Sequence, residues 1–354
     1  MIVREIRLNT IRSYDLYSAE LHPEVTLILG KNGTGKTTLL ESLYYLAHGS
    51  SFRGRDREMI SHSSTRGELM LIEQNGAKRY ATLQLTSDDT IKKSFTIQDK
   101  KSLRMPAKYR QPVILFEPDE LRLLSSSPDR RRRFFDGMLS RLYPQYNTLL
   151  NRYQRTVMQR NELLKRREDM SAKAWEDQLF VWDMKFAELA LNITRARREF
   201  IVLANTRLSS LYSSIAGASH SITASYHSRT AADTYQQTLL HQLQSNYMAD
   251  SYRGYTSYGP HRDDFLVLID GHTANETASR GEMRTIMLAF KLLEIELQQE
   301  AFGSAPLILL DDVFSELDTS REQQLMQALS SYQTIITATD LRDELKVNAH
   351  IISI

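Results

Sequence analysis

A glycine-rich octapeptide between a predicted strand and a predicted helix constrains the fold of this chain most strongly. Residues 30–37 read GKNGTGKT, and the run Val25–Leu29 before them is apolar and rich in β-branched side chains. The apolar positions that follow at helical spacing are Leu39, Leu40, Leu43 and Leu46. A strand, a glycine-rich turn and a helix in this order are the context that a phosphate-binding loop requires.

The octapeptide predicts a nucleotide site. Glycines tolerate the positive φ angles that turn several N–H groups toward one point, and a helix N-terminus adds partial positive charge. The residues predicted to contact the nucleotide are Gly30, Lys31, Asn32, Gly33, Thr34, Gly35, Lys36, Thr37 and Thr38. Lys36 can reach the terminal phosphates, and the Thr37 hydroxyl can bind Mg²⁺. ATP and Mg²⁺ are therefore the predicted cofactors.

An apolar run that ends in two acids predicts the other half of this site. Residues 306–310 are typical of a strand buried on both faces, and Asp311 and Asp312 follow it. Ligands gather at the carboxyl ends of strands in an open α/β sheet, so both acids are expected beside the loop. Asp311 is the predicted Mg²⁺ partner, and Asp312 can orient, or accept a proton from, an attacking water. Two adjacent carboxylates repel each other unless a cation is present, which also indicates a metal.

Ser279 and Gly281 open a predicted amphipathic helix. Ser279 occupies an N-cap position, and Glu282 three residues later completes a capping box. The pattern fits an ordinary well-capped helix, but the free N–H groups of a helix start also predict a second anion site.

Two groups of arginines are candidates for contact with a nucleic acid. One group alternates with other residues and would project to one side of an extended segment; the other lies in a helix predicted to begin after Ser127. The candidates are Arg53, Arg55, Arg57, Arg130, Arg131 and Arg132. For residues 51–110, a solvated protein face explains the charges about as well as a nucleic-acid surface does. A charge-mixed helix is usually a solvated face, but the four consecutive arginines at 130–133 are denser than is usual there.

Composition narrows the function classes. The formal net charge is only +2, so any nucleic-acid surface must be a local patch. The chain has no cysteine, which excludes disulfides and thiolate zinc sites and fits a reducing cytoplasm. No secretory signal and no apolar run of membrane length is found, so we expect a cytoplasmic protein without a membrane partner.

The order of these motifs resembles that of ABC-type ATPase heads and, within that class, the RecF family. The resemblance is carried by residues 30–37, 116–121, 259–264, 279–284 and 309–318, which together span most of the chain. The interval between Thr37 and Ser279 is too short for the long coiled-coil arms of SMC relatives.

The resemblance implies an α/β fold: an ABC-type ATPase head with a P-loop mixed sheet, an antiparallel β subdomain at about residues 66–105, and a helical lobe with a short arm. The implied head comprises residues 1–125 and 253–354, and the helical lobe comprises residues 126–252.

The resemblance also implies that two copies sandwich ATP, with Ser279 and Gly281 completing the partner's site. Lys36, Asp312 and Ser279 would act in hydrolysis, which the short Asp312 side chain would make slow. Arg12 would touch the nucleotide, although a solvated surface arginine is an equal alternative. Thr339, also an implied nucleotide contact, stands where ABC transporters place a histidine. Glu282 departs from the glutamine usual in the family's motif.

The implied function is ATP-dependent DNA binding by a homodimer, in recombinase loading at gaps, replication, DNA repair and the SOS response, with RecO and RecR as partners. Two alternatives stay open. One is a nucleotide-gated protein-interaction module in which the arginines are merely solvated. The other is an ABC transporter head, which the basic sheet and the helical arm disfavour.

Overall fold

A computed structural model describes residues 2–231, 234–339 and 349–354 of the chain. The chain divides into two compact units: unit 1 comprises Met1–Glu120 and Glu294–Ile354, and unit 2 comprises Leu121–Leu293. The first boundary lies near the predicted end of the head segment at residue 125. The second differs from the prediction, because residues 253–293 group with the helical unit, where a strand at 264–269 pairs with one at 222–227.

Unit 1 contains a six-stranded antiparallel sheet. Its strands are β1 (Val3–Ile11), β2 (Tyr14–Glu20), β4 (Arg66–Glu73), β5 (Lys78–Leu85), β6 (Ile91–Ile97) and β7 (Lys100–Ser102). They pair in the order β2-β1-β4-β5-β6-β7. Gly76 adopts a φ of 84° in the β4–β5 turn, as the Asn75-Gly76 pair predicts for a tight hairpin. The antiparallel β subdomain is confirmed, and β1 and β2 extend it.

A five-stranded parallel sheet forms the other layer of unit 1. Its strands are β3 (Val25–Leu29), β8 (Val113–Phe116), β12 (Leu307–Asp311), β13 (Thr334–Ala338) and β14 (His350–Ser353). They lie in the order β14-β3-β13-β12-β8, with all neighbours parallel. Every residue of β8 and β13 is buried, as expected for strands covered on both faces.

The helices of unit 1 follow the predicted apolar spacing. Helix α1 (Lys36–His48) places Leu39, Leu43 and Leu46 in a core that includes residues of both sheets. A 3-10 helix covers Asp56–Met59, and α10 (Thr319–Ala328) lies a few residues after Asp311 and Asp312. Two helices cross the unit boundary: α2 (Pro118–Leu121) and α9 (Arg280–Phe302).

Unit 2 is mainly helical. Its helices are α3 (Pro128–Leu142), α4 (Pro144–Lys165), α5 (Ala172–Asn205), α6 (Leu208–Ala216), α7 (Tyr235–Arg253) and α8 (Ala274–Thr277). A small antiparallel sheet joins β9 (Ile222–His227), β10 (Asp264–Ile269) and β11 (His272–Thr273). Helices α4 and α5 form the predicted arm, joined by a 3-10 turn at Arg167–Asp169. Among the described residues, none of the helices is sufficiently long and apolar to span a bilayer.

An ion cluster without solvent contact joins the helices of the arm. Arg160 donates to Asp183 at 2.6 Å, to Asp250 at 3.2 Å and to the Thr256 hydroxyl at 2.8 Å. The side chains of Arg160 and Asp250 are fully buried, and that of Asp183 is almost so. Removing one member of such a cluster leaves an uncompensated charge in a low-dielectric interior.

Arg160→Ala is expected to lower the free energy of unfolding by about 3–5 kcal/mol, because it leaves two buried carboxylates without their cation. The matched control is Arg133→Ala, which removes an exposed i,i+4 pair with Asp129 and should change stability by less than ~0.5 kcal/mol. Urea denaturation followed by circular dichroism measures both. Equal effects of the two substitutions would contradict the assigned role of the cluster.

Candidate functional site

The phosphate loop connects β3 to α1, as predicted, and two of its glycines adopt left-handed backbone angles. Gly33 has a φ of 86°, and Gly35, the N-cap of α1, has a φ of 106°. A Cβ on Gly35 would also lie 2.8 Å from the ring and the hydroxyl of Tyr14. Only glycine fits this position, because any side chain would be strained by the backbone and would collide with the tyrosine.

Lys36 lies folded over the loop that precedes it. Its ammonium group donates to the carbonyl oxygens of Gly30 at 2.5 Å and Lys31 at 2.9 Å, and the residue is largely buried. An ammonium group has three N–H donors, so one remains for a phosphate oxygen. The loop and its lysine are therefore held together before any ligand binds.

Asp311 connects the start of α1 to strand β13. One of its carboxylate oxygens accepts hydrogen bonds from the Thr37 hydroxyl at 2.9 Å and from the Thr337 hydroxyl at 2.8 Å. Strand β13 lies between β3 and β12, and the carboxyl ends of these three parallel strands meet at one edge of the sheet. The predicted proximity of Asp311 to the loop is confirmed by this geometry, whereas Thr337 was not among the predicted residues.

Asp312 has a different environment from its neighbour. Its backbone is left-handed, with a φ of 52°, and its N–H donates to the Thr337 carbonyl and hydroxyl oxygens, each at 3.1 Å. Burial raises the pKa of the Asp312 carboxyl, and the charges of Asp311 and Glu316 raise it further, while the Lys36 ammonium lowers it. A carboxylate near a cation, with a raised pKa, is suited to proton transfer.

The residues present fit a magnesium ion that also binds phosphate. Thr37 and Asp311 offer a hydroxyl and a carboxylate, the oxygen ligands that Mg²⁺ prefers. In the part of the chain that the structure describes, no cluster of three or more histidine or acidic side chains could hold a metal by itself. A Mg²⁺ ion here would therefore take its remaining ligands from nucleotide phosphates and water, as it usually does.

Arg12 forms an ion pair inside unit 1. Its guanidinium donates two bonds to the Glu41 carboxylate, at 2.7 and 2.8 Å, and Ser51 donates a third. Glu41 lies in α1 and its side chain is fully buried. Contact of Arg12 with a nucleotide stays a prediction. In the structure, Arg12 joins the β1–β2 turn to the phosphate-loop helix.

Tyr14 is a neighbour of the loop that the sequence analysis did not select. Its ring contacts Gly35 and lies 4.7 Å from the ring of Tyr17. Burial raises the pKa of the Tyr14 phenol to about 12, so the hydroxyl keeps its proton at neutral pH. The signal that could have found it is an aromatic residue two positions after Arg12, at the start of the strand that precedes the phosphate-loop strand.

Ser279 and Glu282 form the predicted capping box in unit 2. The Ser279 N–H donates to the Glu282 carboxylate at 2.7 Å, and the Glu282 N–H donates to the Ser279 hydroxyl at 3.2 Å. Glu282 can make this bond as glutamine would, which gives the departure a local explanation. Ser279 is exposed and Gly281 is half-buried at the start of α9. Thr339, also a predicted contact, is exposed directly after β13 in unit 1.

A one-sided arrangement of Arg53, Arg55 and Arg57 was expected only for an extended segment, and this segment is not extended. Arg57 lies in a 3-10 helix at Asp56–Met59 and pairs with Asp89 of the β5–β6 turn. All three arginines are nevertheless exposed. Whether they contact DNA stays a prediction.

Burial separates the arginines of α3 from one another. Arg131 is buried and donates to the Asp264 carboxylate at 3.0 and 2.5 Å and to the Ser126 carbonyl at 2.5 Å. Arg132 donates to the Asp263 carbonyl at 2.7 Å, and Arg130 is exposed. The geometry thus favours a structural role for Arg131 and Arg132, which hold the polypeptide at the start of β10.

Comparisons with known proteins agree with this geometry. Residues 2–350 match the family described as RecF/RecN/SMC N terminal domain. The chain is 31% identical over 348 residues to the DNA replication and repair protein RecF of Alkaliphilus oremlandii, covering 96% of this chain and 93% of that protein. It is 34% identical to RecF of Staphylococcus epidermidis, covering 96% of this chain and 94% of that protein.

Solved structures match along the whole chain. A structure of the recombination mediator protein RecF with ATP, in the RecFOR pathway, has a TM-score of 0.82 and 26% identity, covering 97% of this chain and 93% of that one. A Pyrococcus furiosus Smc head domain has a TM-score of 0.52 at 14% identity, covering 99% of this chain and 93% of that one, which concerns the fold alone. The predicted fold class, an ABC-type ATPase head, is confirmed by these likenesses.

Thr337→Val is expected to weaken Mg²⁺-dependent nucleotide binding by about tenfold, because it removes the hydroxyl that orients Asp311. The matched control is Thr334→Val, on the same strand, whose hydroxyl bonds to the Tyr332 carbonyl instead. Titration with a fluorescent ATP analogue, with Mg²⁺ and with EDTA, measures the change. An equal loss in both variants, or a loss that does not depend on Mg²⁺, would contradict the role assigned to Thr337.

Proposed function

Since the chain belongs to the RecF family of DNA replication and repair proteins, we propose that it is an ATP-dependent DNA-binding protein of recombinational repair. ATP with Mg²⁺ joins two copies on DNA, and slow hydrolysis releases them. The observation that carries the proposal is the contact of Thr37 and Thr337 with Asp311, which joins the phosphate loop to the acidic strand end.

ATP fits the loop because each part of a triphosphate meets a suitable group. The amides of the loop and the start of α1 suit the phosphates, and Lys36 retains a donor for their terminal oxygens. Thr37 and Asp311 would share Mg²⁺ with those oxygens. A related RecF has been solved with ATP, which supports the same cofactor here.

The helix start at Ser279 and Gly281 supports dimerisation. Ser279 is exposed and Gly281 is half-buried at the capped start of α9 in unit 2. The capping box uses the N–H groups of Ser279 and Glu282, so those of Arg280 and Gly281 are the groups suited to an anion. We assign these groups to the nucleotide held by a second copy, as the family resemblance implies. Nucleotide would then act as the bond between two copies, and its cleavage would separate them.

Hydrolysis depends on Asp312. Asp312 lies beside Asp311, and Lys36 is near enough to lower the pKa of Asp312. This position supports a role for Asp312 in orienting the attacking water or in accepting a proton from it. An aspartate reaches less far than the glutamate of typical ABC heads, which is why we expect slow turnover. The rate of hydrolysis would therefore set the lifetime of the ATP-bound dimer.

The family implies DNA, RecO and RecR as partners. The related RecF that was solved with ATP belongs to the RecFOR pathway, which supports these partners here. Recombinase loading at gaps and SOS induction would follow from that placement. The exposed residues Arg53, Arg55, Arg57 and Arg130 are the candidate phosphate contacts in this proposal.

Lys36→Met is expected to abolish ATP-dependent dimerisation, and Ser279→Arg is expected to block it while leaving nucleotide binding by the monomer intact. The matched control for Ser279→Arg is Ser210→Arg, at an exposed position on α6. Light scattering with and without a non-hydrolysable ATP analogue measures the mass. Tight nucleotide-dependent dimers of Ser279→Arg would argue against completion of the site by a second copy.

As the pH is lowered, the rate of ATP hydrolysis is expected to fall. The fall should begin at a higher pH than it would for an aspartate with an ordinary pKa. Burial raises the pKa of Asp312, and the reaction needs its ionised form, so protonation begins earlier as the pH is lowered. A single-turnover pH–rate profile measures this limb. If Asp312→Asn keeps both the rate and the limb, the assignment of Asp312 is wrong.

A further inference from the structure

The segment at residues 251–262, from the end of α7 to the turn before β10, exposes two tyrosines that the ATP site does not use. Tyr252 is 88% exposed and Tyr255 is 43% exposed. The segment also contains the first part of the Gly259–Asp264 motif, which has no role in the nucleotide site. We call residues 251–262 the Tyr-Arg loop.

The backbone of the Tyr-Arg loop is fixed from inside. Thr256 is fully buried, and both its N–H and its hydroxyl donate to the side-chain oxygen of Asn161 at 2.8 Å. Its carbonyl oxygen accepts from His261 Nε2 and from Arg262 Nε, each at 3.1 Å. Beneath it, Arg160 of the buried ion cluster donates to the same hydroxyl. These contacts tie the backbone of the loop to α4.

His261 completes this anchorage as a neutral ring. Because the Thr256 carbonyl can only accept, Nε2 carries the proton, and Nδ1 accepts from the Tyr153 hydroxyl at 2.6 Å. Burial lowers the pKa of His261 to about 4, so the ring stays neutral at physiological pH. Gly259 has a φ of 118°, and a Cβ there would lie 2.7 Å from the Phe186 ring. These contacts leave the opposite side of the loop for other partners.

The outer side of the Tyr-Arg loop combines aromatic rings with positive charge. The Arg262 guanidinium lies 4.6 Å from the centre of the Tyr255 ring, and Arg253 donates to the Ser257 hydroxyl at 3.1 Å. No residue from 251 to 262 is acidic, and the acids that flank the segment, Asp250 and Asp263, are buried. The exposed charge of this loop is therefore entirely positive.

The C-terminal end of α4 borders the Tyr-Arg loop. A Cβ on Gly254 would lie 3.5 Å from the Lys165 side chain, so this lysine borders the loop. The exposed acid Glu162 is paired with Lys165 at 2.8 Å, which balances its charge.

We propose that the Tyr-Arg loop binds single-stranded nucleic acid, with bases stacked on Tyr252 and Tyr255 and phosphates held by Arg253 and Arg262. The proposal rests on the DNA binding proposed above and deepens it by naming a strand preference and the residues that cause it. Bases in a duplex are already stacked on one another, whereas bases of a single strand can stack on exposed rings. A rigid loop loses little conformational entropy when it binds.

The test measures the affinity of the full chain for a labelled thymidine oligomer of about 20 nucleotides and for a duplex of equal length. Tyr252→Ala and Tyr255→Ala are each expected to weaken single-strand binding by about tenfold, with the duplex affinity nearly unchanged. Tyr252→Phe should retain the affinity, because the ring is kept. Arg253→Gln should lower the slope of log affinity against log salt by about 0.7.

Tyr143→Ala is the matched control. Tyr143 is 37% exposed and lies at the other end of α4, about 30 Å from the loop along a helix of 22 residues. This substitution should leave both affinities unchanged. Thermal melting of each variant checks that the fold is intact, which the high exposure of Tyr252 favours.

Two results would overturn the inference without touching the proposed function: unchanged single-strand affinity in both alanine variants, or equal losses on single strand and duplex. In either case wild-type protein would still bind DNA with ATP. If wild-type protein bound neither DNA at low salt, the proposed function would fail together with this inference.

Discussion

The arrangement of the nucleotide site in unit 1 depends on the hydrogen bonds that the Asp311 carboxylate accepts. It accepts bonds from Thr37 at the start of α1 and from Thr337 at the end of β13. The phosphate-loop strand and the acidic strand are not neighbours in the sheet, since β13 lies between them. The backbone ladder pairs the ends of these strands, and the two hydroxyl contacts add a link from the start of α1 to the ends of β12 and β13.

The loop is also preorganised from its other sides. Lys36 bonds to the loop carbonyls, Gly35 lies against the Tyr14 ring, and Arg12 is joined to α1 through Glu41. A site that is ordered before the ligand arrives spends less of its binding energy on ordering the chain.

In unit 2, arginines that look alike in the sequence have opposite tasks. Arg131 and Arg132 of α3 hold the start of β10, and Arg197 of α5 donates to the Asp136 carboxylate and to the Pro260 carbonyl. Arg262 instead turns outward onto Tyr255. Burying a guanidinium is tolerated only where carboxylates and carbonyls satisfy it, so neighbours from distant segments decide the role of each arginine.

The sequence by itself determined the phosphate loop, the two acids, the capping box at Ser279 and most strands, because these depend on local spacing and on runs of apolar residues. It could not establish that Thr337 and Tyr14 meet the site, because sheet order brings Thr337 there and the β1–β2 hairpin brings Tyr14 there. Residues 53–57 run into a 3-10 helix, so their arginines do not alternate along a strand. Residues 253–293 group with unit 2, whereas the sequence analysis assigned them to the head, because β10 pairs with β9. Local chemistry specifies which groups can act, whereas only the tertiary fold decides which of them meet and which are buried.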